Sequence, residues 1–142
     1  MILLGTDPLT RFLNRAAATP FEWGQFDCLL WLADWIEERR GIDPADSLRG
    51  KYCSMLQAAR IVREAGGMER LVDITTRPVG LSRATEGARG DIAVVQVAGD
   101  GGEHFGNQAG AVLLGGTAVL LCQGGLVMPR LDLAPVVAVW RI

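Results

Sequence analysis

The hydrophobic and polar positions along the chain follow two different periods, one in each half. In the first half, apolar residues recur three and four positions apart, which is the spacing of one face of an α-helix. After Asp73, short runs of Val, Leu and Ile alternate with Gly and Pro, which is typical of strands and turns. Helices followed by an antiparallel sheet predict an α+β fold.

The helical half predicts three helices and one further turn. These elements run from Pro8 to about Thr19, from Cys28 to Arg40, from Ser54 to about Ala65, and over Met68 to Leu71. Asp7 and Pro8 form a typical helix start, because an aspartate caps the first turn and a proline fits its first position. Gly41 and the pair Gly66-Gly67 are typical helix stops.

The second half predicts a sheet built largely from hairpins. We place strands at about Ile92–Val97, Ala109–Leu114, Ala118–Cys122, Leu126–Met128 and Val136–Trp140. The apolar stretch from Ala109 to Met128 has the length of a membrane helix, but Gly115-Gly116 divides it into two pieces of strand length. We therefore expect a hairpin there and no membrane span.

Composition narrows the classes of function. A chain of 142 residues with 49% hydrophobic and 21% charged residues predicts a single domain over residues 1–142 with a packed core. A net charge of −2 gives no reason to expect a nucleic-acid partner. The 3 cysteines form no Cys-x-x-Cys pair, and the single histidine cannot complete a common zinc set. We expect neither a metal nor another cofactor.

Cys28 is the first candidate for chemistry, and it has two interpretations. Pro20 and Gly24 break regular structure before it, and Asp27 is a good N-cap, so Cys28 should occupy the first helical position. Helix N-terminal N–H groups favour a thiolate, which would make Cys28 a nucleophile. Alternatively Cys28 is a small buried apolar residue, because it shares a helical stripe with Trp31 and Trp35, which we expect in the core.

The motifs around this cysteine carry a family resemblance over nearly the whole chain. Phe21-x-Trp23-Gly24-x-x-Asp27-Cys28 resembles the nucleophile motif of NlpC-type, papain-like cell-wall cysteine peptidases. Arg89-Gly90-Asp91-Ile92-Ala93-Val94 resembles that family's turn into its first core strand, and Gln108-Ala109-Gly110-Ala111-Val112-Leu113 its next strand. Asp43-Pro44 and Leu48-Arg49-Gly50-x-Tyr52 are similar to an uncharacterised variant found in phage tail gene clusters. The resemblance implies N-terminal helices packed on a C-terminal antiparallel sheet of about five strands.

The resemblance also implies site residues, and one of them departs from the family pattern. Cys28 matches the nucleophile, but the position of the histidine base falls on Gln108, and an amide is not a general base. The single histidine, His104, lies in a Gly-rich loop four residues earlier, a distance of roughly 13 Å in extended chain. His104 is then either the base, if this loop folds back, or a solvated loop residue.

Two neighbouring side chains also have alternative interpretations. Asp27 fits a helix cap better than a catalytic acid, because its charge beside Cys28 opposes thiolate formation. Trp23 precedes the helix, where it either walls a cleft or packs in the core.

Three hypotheses about function follow from this resemblance. The first is a structural component of a phage tail tip, made in the host cytoplasm and bound to other tail-tip proteins of the virion, with an incomplete triad. The alternative is an active peptidoglycan endopeptidase or amidase that uses Cys28 and His104 to open the cell wall. The third is a module that binds wall peptides near Trp23 without cutting them.

Overall fold

The computed structural model describes residues 3–98 and 105–142, and within them the chain forms helices first and strands second. The helices are α1 (Pro8–Ala18), α2 (Leu30–Arg40), α3 (Met55–Ala65) and α4 (Met68–Thr76), followed by a 3-10 turn at Arg77–Val79. The strands are β1 (Ser82–Ala84), β2 (Ile92–Gln96), β3 (Gln108–Leu114), β4 (Thr117–Cys122), β5 (Gly125–Val127) and β6 (Val136–Arg141). The predicted α+β class is confirmed.

Within the described residues, the sheet has six strands in the order β1-β6-β2-β3-β4-β5, and all neighbours are antiparallel. The expectation of about five strands was therefore short by one. The additional strand is β1, which has no alternation of apolar and polar residues and is held by pairing with β6, for example Ser82 with Arg141. The turn predicted at Met68 is also longer, because α4 continues to Thr76.

One face of the sheet packs against the helices and forms the larger core. Alternate strand residues such as Ile92, Val94 and Val112 point to this face and pack in one cluster with the apolar sides of α1 and α2. The opposite face forms a smaller cluster that includes Ala93 and Val95. Trp31 and Trp35 are buried in the larger cluster, as predicted.

The helix α2 lies along the sheet and contacts it at two places. Near its C-terminal half, Trp35 Nε1 donates a hydrogen bond of 2.8 Å to the carbonyl oxygen of Gly90. Near its N-terminal half, Leu32 lies so close to Gly110 that a Cβ atom on that glycine would stand 2.3 Å from Leu32 Cδ1. The start of α2 therefore lies over the beginning of β3.

The turn before β2 closes one end of the sheet. Asp91 is 1% exposed, and its carboxylate accepts hydrogen bonds from the N–H groups of Ala88 and Ile142 and an ion pair from Arg141. Gly90 and Asp91 also exchange backbone hydrogen bonds with Leu113. The Gly-Asp turn therefore has a structural role.

The long apolar stretch from Ala109 to Met128 is divided as predicted. It forms most of β3, a turn at Gly115 and Gly116, and then β4 and β5. In the described part of the chain, no helix has the length and apolar character needed to cross a membrane.

Candidate functional site: the Cys28 cleft

A tight turn directly precedes Cys28 in the chain. Glu22 and Phe26 pair through two backbone hydrogen bonds of 2.8 and 2.9 Å. Gly24, at the tip of this turn, has φ +84°, and a Cβ atom there would stand 1.9 Å from the carbonyl oxygen of Tyr52. A side chain at position 24 would therefore push the turn away from the Tyr52 segment, and only glycine fits.

Asp27 is the buried anchor of this turn. Its carboxylate is fully buried and accepts four hydrogen bonds, from the N–H groups of Gly24, Leu29 and Leu30 and from the hydroxyl of Tyr52. The predicted N-cap lies two residues too early, because Leu29 is the residue that directly precedes α2 and no side chain caps the helix there. Asp27 instead satisfies the N–H groups of Leu29 and Leu30 from the preceding turn, which agrees with a structural role and not with a catalytic acid.

The position predicted for Cys28 was wrong by two residues. The helix α2 begins at Leu30, and Cys28 lies in the turn that precedes it. The reason is the Asp27 carboxylate, which bonds to the N–H groups of Leu29 and Leu30 and holds residues 27–29 in a turn. Regular helical bonding starts only after this turn.

Tyr52 is the functional neighbour that the sequence pattern did not reveal. Its hydroxyl donates a 2.6 Å hydrogen bond to Asp27, and the backbone N–H of Gly50 donates to the Gly24 carbonyl oxygen at 2.9 Å. Burial and the Asp27 hydrogen bond raise the pKa of Tyr52 above its ordinary value. The only signal for this contact was the Gly50-x-Tyr52 motif, whose partner lies 25 residues away.

The thiol of Cys28 is held in its protonated form. Burial, reinforced by the negative charge of Asp27 and by the nearby thiol of Cys122, raises the pKa of Cys28 to about 12. The expectation that the helix terminus would favour a thiolate is therefore wrong. Desolvation and the neighbouring carboxylate outweigh the attraction of the N–H groups, which Asp27 already occupies.

Cys28 opens onto a cleft with a volume of about 750 Å³. Its lining is mainly aromatic and aliphatic, and the described residues that form it include no charged side chain. The lining residues are Phe21, Trp23, Cys28, Met55, Met68, Val97, Ala98, Phe105, Gln108, Ala109, Gly110, Leu120, Leu121, Cys122, Gln123, Gly124, Val127, Pro129, Leu133 and Ala134. Among the described lining residues, the polar side-chain groups are therefore two amides, two thiols and the indole N–H of Trp23.

Gln108 lies in the same cleft as Cys28. It is the first residue of β3, and it shares a sheet face with Gly110, because side chains alternate along a strand. A Cβ atom at Gly110 would stand 3.9 Å from the carbonyl oxygen of Cys28, so this face is the one that meets the start of α2. His104 lies outside the described residues.

Trp23 both packs against the core and lines the cleft. The indole is half-buried and packs against the larger core, and it also lines the cleft. Its ring meets Phe21 edge-on at 4.9 Å between centroids and lies nearly parallel to Phe105 at 6.5 Å. These three rings form an aromatic wall of the cleft.

The charged side chains nearest to the Tyr52 segment are outside the cleft lining. Arg49 is paired with Asp43 at 2.6 Å and with Asp34 at 2.7 Å, and these bonds brace the segment that carries Tyr52. Within residues 3–98 and 105–142, no cluster of His, Cys, Asp or Glu is placed to hold a metal ion. Among the described groups, the cleft thus offers apolar contact and neutral hydrogen-bonding groups.

Comparison with known proteins gives one family. A family described as a domain of unknown function, DUF6950, matches residues 6–142. No curated protein and no solved structure matches the chain. The family match includes the turn at Gly24, the Cys28 cleft and the whole sheet. Because it covers nearly the entire length, the chain belongs to the DUF6950 family.

Proposed function

We propose that the protein is a non-catalytic component of a phage tail tip, built on an NlpC-type, papain-like plan in which Cys28 is an inert thiol. The observation that carries this proposal is that Cys28 and Gln108, an amide at the base position, line one cleft, and burial also raises the pKa of Cys28 to about 12. A cysteine nucleophile must be a thiolate at working pH.

The papain-like part of the proposal is supported by the placement of two residues. Cys28 lies in the turn before an apolar helix, and Gln108 begins the strand that faces this turn. Both side chains line one cleft, as expected for a nucleophile position and a base position. The fold class and the placement agree with the motif resemblance of residues 21–28 and 108–113.

The non-catalytic part is supported by the chemistry of these two positions. Burial raises the pKa of Cys28 well above that of a free cysteine, which disfavours the thiolate near pH 7. Gln108 has an amide, which neither takes up nor returns a proton near neutral pH. The arrangement therefore keeps the geometry of a cysteine site without its activation.

The tail-tip part rests on the similarity of Asp43-Pro44 and the Leu48–Tyr52 segment to an uncharacterised variant found in phage tail gene clusters, and on the character of the cleft. Val127 and Leu133 at the cleft are 45% and 76% exposed, so apolar surface continues from the cleft to the outside. Exposed apolar surface of this kind marks contact with another protein. Peptidoglycan, which is rich in hydroxyl and charged groups, would meet few polar partners on the described lining.

The test is the reactivity of Cys28 as a function of pH. A Cys53→Ser/Cys122→Ser protein leaves Cys28 as its one thiol, and a Cys28→Ala/Cys122→Ser protein leaves Cys53, which is exposed. We expect iodoacetamide to alkylate Cys28 near pH 7.5 at least about 100-fold more slowly than Cys53. A Cys28 rate that reaches its plateau below pH 8 would contradict the proposal.

The second candidate function is the peptidoglycan hydrolase, and the opening of Cys28 onto a wide cleft favours it. This function requires that Cys28 and His104 act together. Release of soluble muropeptides by the native protein, abolished in both Cys28→Ala and His104→Ala, would replace the first proposal. The wall-binding module would instead show retention on insoluble peptidoglycan that is lost in Trp23→Ala.

A further inference from the structure

The strands β3 and β4 separate at the end of the sheet that lies near Cys28. Their ladder runs from Leu114 to its last pair, Val112 with Val119. The same register would next pair Ala111 with Leu120 and then Gly110 with Leu121, but neither pair forms, and the second half of β4 pairs with β5 on its other side. The two strands therefore form a fork, with Gln108–Ala111 as one arm.

The β3 arm presents backbone groups to the fork. Leu113 exchanges backbone hydrogen bonds with Gly90 and Asp91, on the side of β2. Since bonding direction alternates along an antiparallel strand, the backbone groups of Gln108 and Gly110 point the other way, towards β4. Among the described residues, the β3–β4 ladder supplies no partner for them.

The cleft lies between the two arms of this fork. It is lined by residues 108–110 on one arm and residues 120–122 on the other. An unpaired backbone N–H or C=O group in apolar surroundings carries a free-energy cost. A hydrocarbon ligand would leave that cost in place, whereas an extended peptide carries alternating N–H and C=O groups that remove it. The lack of charged side chains on the described lining favours an uncharged segment.

We propose that this fork binds an extended, uncharged and largely apolar segment of a partner polypeptide, which pairs as a strand with Gln108 and Gly110 of β3. The apolar side chains of the segment pack against the aromatic wall formed by Phe21, Trp23 and Phe105. This inference deepens the proposed function, because it names the partner class of the same cleft. The pairing itself does not depend on the state of the Cys28 thiol.

A tethered peptide tests the pairing without knowledge of the natural partner sequence. In a Cys28→Ala/Cys53→Ser protein, Cys122 is exposed and lines the cleft. Its thiolate attacks a peptide cysteine activated as a pyridyl disulfide, which forms the mixed disulfide and releases pyridine-2-thiolate. The peptide alternates leucine and alanine, and the tether gives it an effective concentration of the order of mM.

Three matched samples isolate the backbone contribution. The first sample carries the same peptide with N-methylated alanines. This change keeps the side chains of the peptide and removes the backbone N–H donors of its alanines. The second carries an unbranched hydrocarbon chain on Cys122. The third is a Cys28→Ala/Cys122→Ser protein that carries the original peptide on Cys53, which is exposed and lies outside the cleft lining.

The readout is hydrogen exchange of individual backbone amides. We expect the peptide on Cys122 to slow exchange at Gln108 and Gly110 by at least about tenfold, while none of the three matched samples does so. The amide of Val112, which already lies in the ladder, should exchange equally in all samples and shows that each is folded. Equal slowing by the N-methylated peptide or the hydrocarbon, or no slowing by any of them, would overturn the inference.

These outcomes are separate from those of the proposed function. An unreactive Cys28 together with no protection of Gly110 would remove only the inference. A reactive Cys28 together with protection of Gly110 would remove only the proposed lack of catalysis.

Discussion

The two ends of the sheet differ, although the same helix lies over both. At one end, Trp35 of α2 bonds to Gly90, and the buried carboxylate of Asp91 accepts two backbone N–H groups and pairs with Arg141. At the other end, β3 and β4 separate around an apolar cleft at Gly110. We call these the closed end and the open end.

The difference locates the part of the molecule that is suited to binding. At the closed end, the polar groups of the Gly90-Asp91 turn have partners within the chain, so a ligand has nothing to add there. At the open end, the backbone of the β3 arm points into the cleft without a ladder partner. A partner that supplies hydrogen bonds gains most at this end.

Each end also contains a buried carboxylate that stabilises a turn through hydrogen bonds. Asp27 at the open end and Asp91 at the closed end are both almost completely buried and accept backbone N–H groups. Asp27 is followed by a cysteine, yet its position in the sequence already favours a structural role over a catalytic one. The comparison with Asp91 indicates that its role is structural.

The largest effect is expected for Gly24→Ala at the open end. Because the new Cβ would lie 1.9 Å from the Tyr52 carbonyl oxygen, the turn must move, and we expect the free energy of unfolding to fall by about 4 kcal/mol. Gly41→Ala is the matched control: Gly41 also has a positive φ of +77° but no neighbour within 4 Å, so it should cost about 1 kcal/mol. Urea denaturation measures both, and equal losses would contradict the steric explanation.

At the closed end, we expect Asp91→Ala to lower the free energy of unfolding by about 3 kcal/mol, because it leaves two N–H groups and Arg141 without their acceptor. Asp132→Ala, at an exposed ion pair, should change it by less than about 0.5 kcal/mol. The alkylation rate of Cys28 should not change in either variant. A changed rate in Asp91→Ala would show that the two ends are coupled.

Gly110→Ala tests the contact of α2 with the β3 arm. The added methyl group collides with Leu32, and we expect a loss of about 2 kcal/mol in the free energy of unfolding. In a Leu32→Ala background the same substitution should cost much less, so a double-mutant cycle gives a favourable coupling. Gly116→Ala, with no neighbour within 4 Å, is the control. Additive losses would mean that this packing does not limit position 110.

The effect that is smallest near neutral pH is that of Cys28, because it appears only as a loss of stability in alkali. Its folded-state pKa of about 12 lies above the unfolded value, so the stabilisation is complete below about pH 8.5 and is lost as pH rises towards 12. In a Cys53→Ser/Cys122→Ser background, the free energy of unfolding should fall as the pH rises. The slope should be steeper, by up to about 1.4 kcal/mol per pH unit, than in the same protein with Cys28→Ala. Tyr52 is present in both proteins, so the difference between the two curves reports Cys28 together with its electrostatic coupling to Tyr52. Parallel curves would mean that Cys28 titrates normally.

The sequence determined most of the local structure. Asp7 caps α1 as its pattern predicted, Gly41 and Gly66 end α2 and α3, and Gly115-Gly116 forms the turn of the β3–β4 hairpin. These features depend on residues that are close in the chain, where period, capping and turn chemistry act directly. The α+β class follows from them.

Only the tertiary structure decided the strand β1, the start of α2 and the character of the site. The strand β1 exists because β6 pairs with it, and Tyr52 reaches Asp27 across 25 residues. The protonated state of Cys28 and the fork at Gly110 depend on burial and on strand pairing between segments far apart in sequence. Desolvation and strand pairing are properties of the assembled surroundings, which a local pattern does not contain.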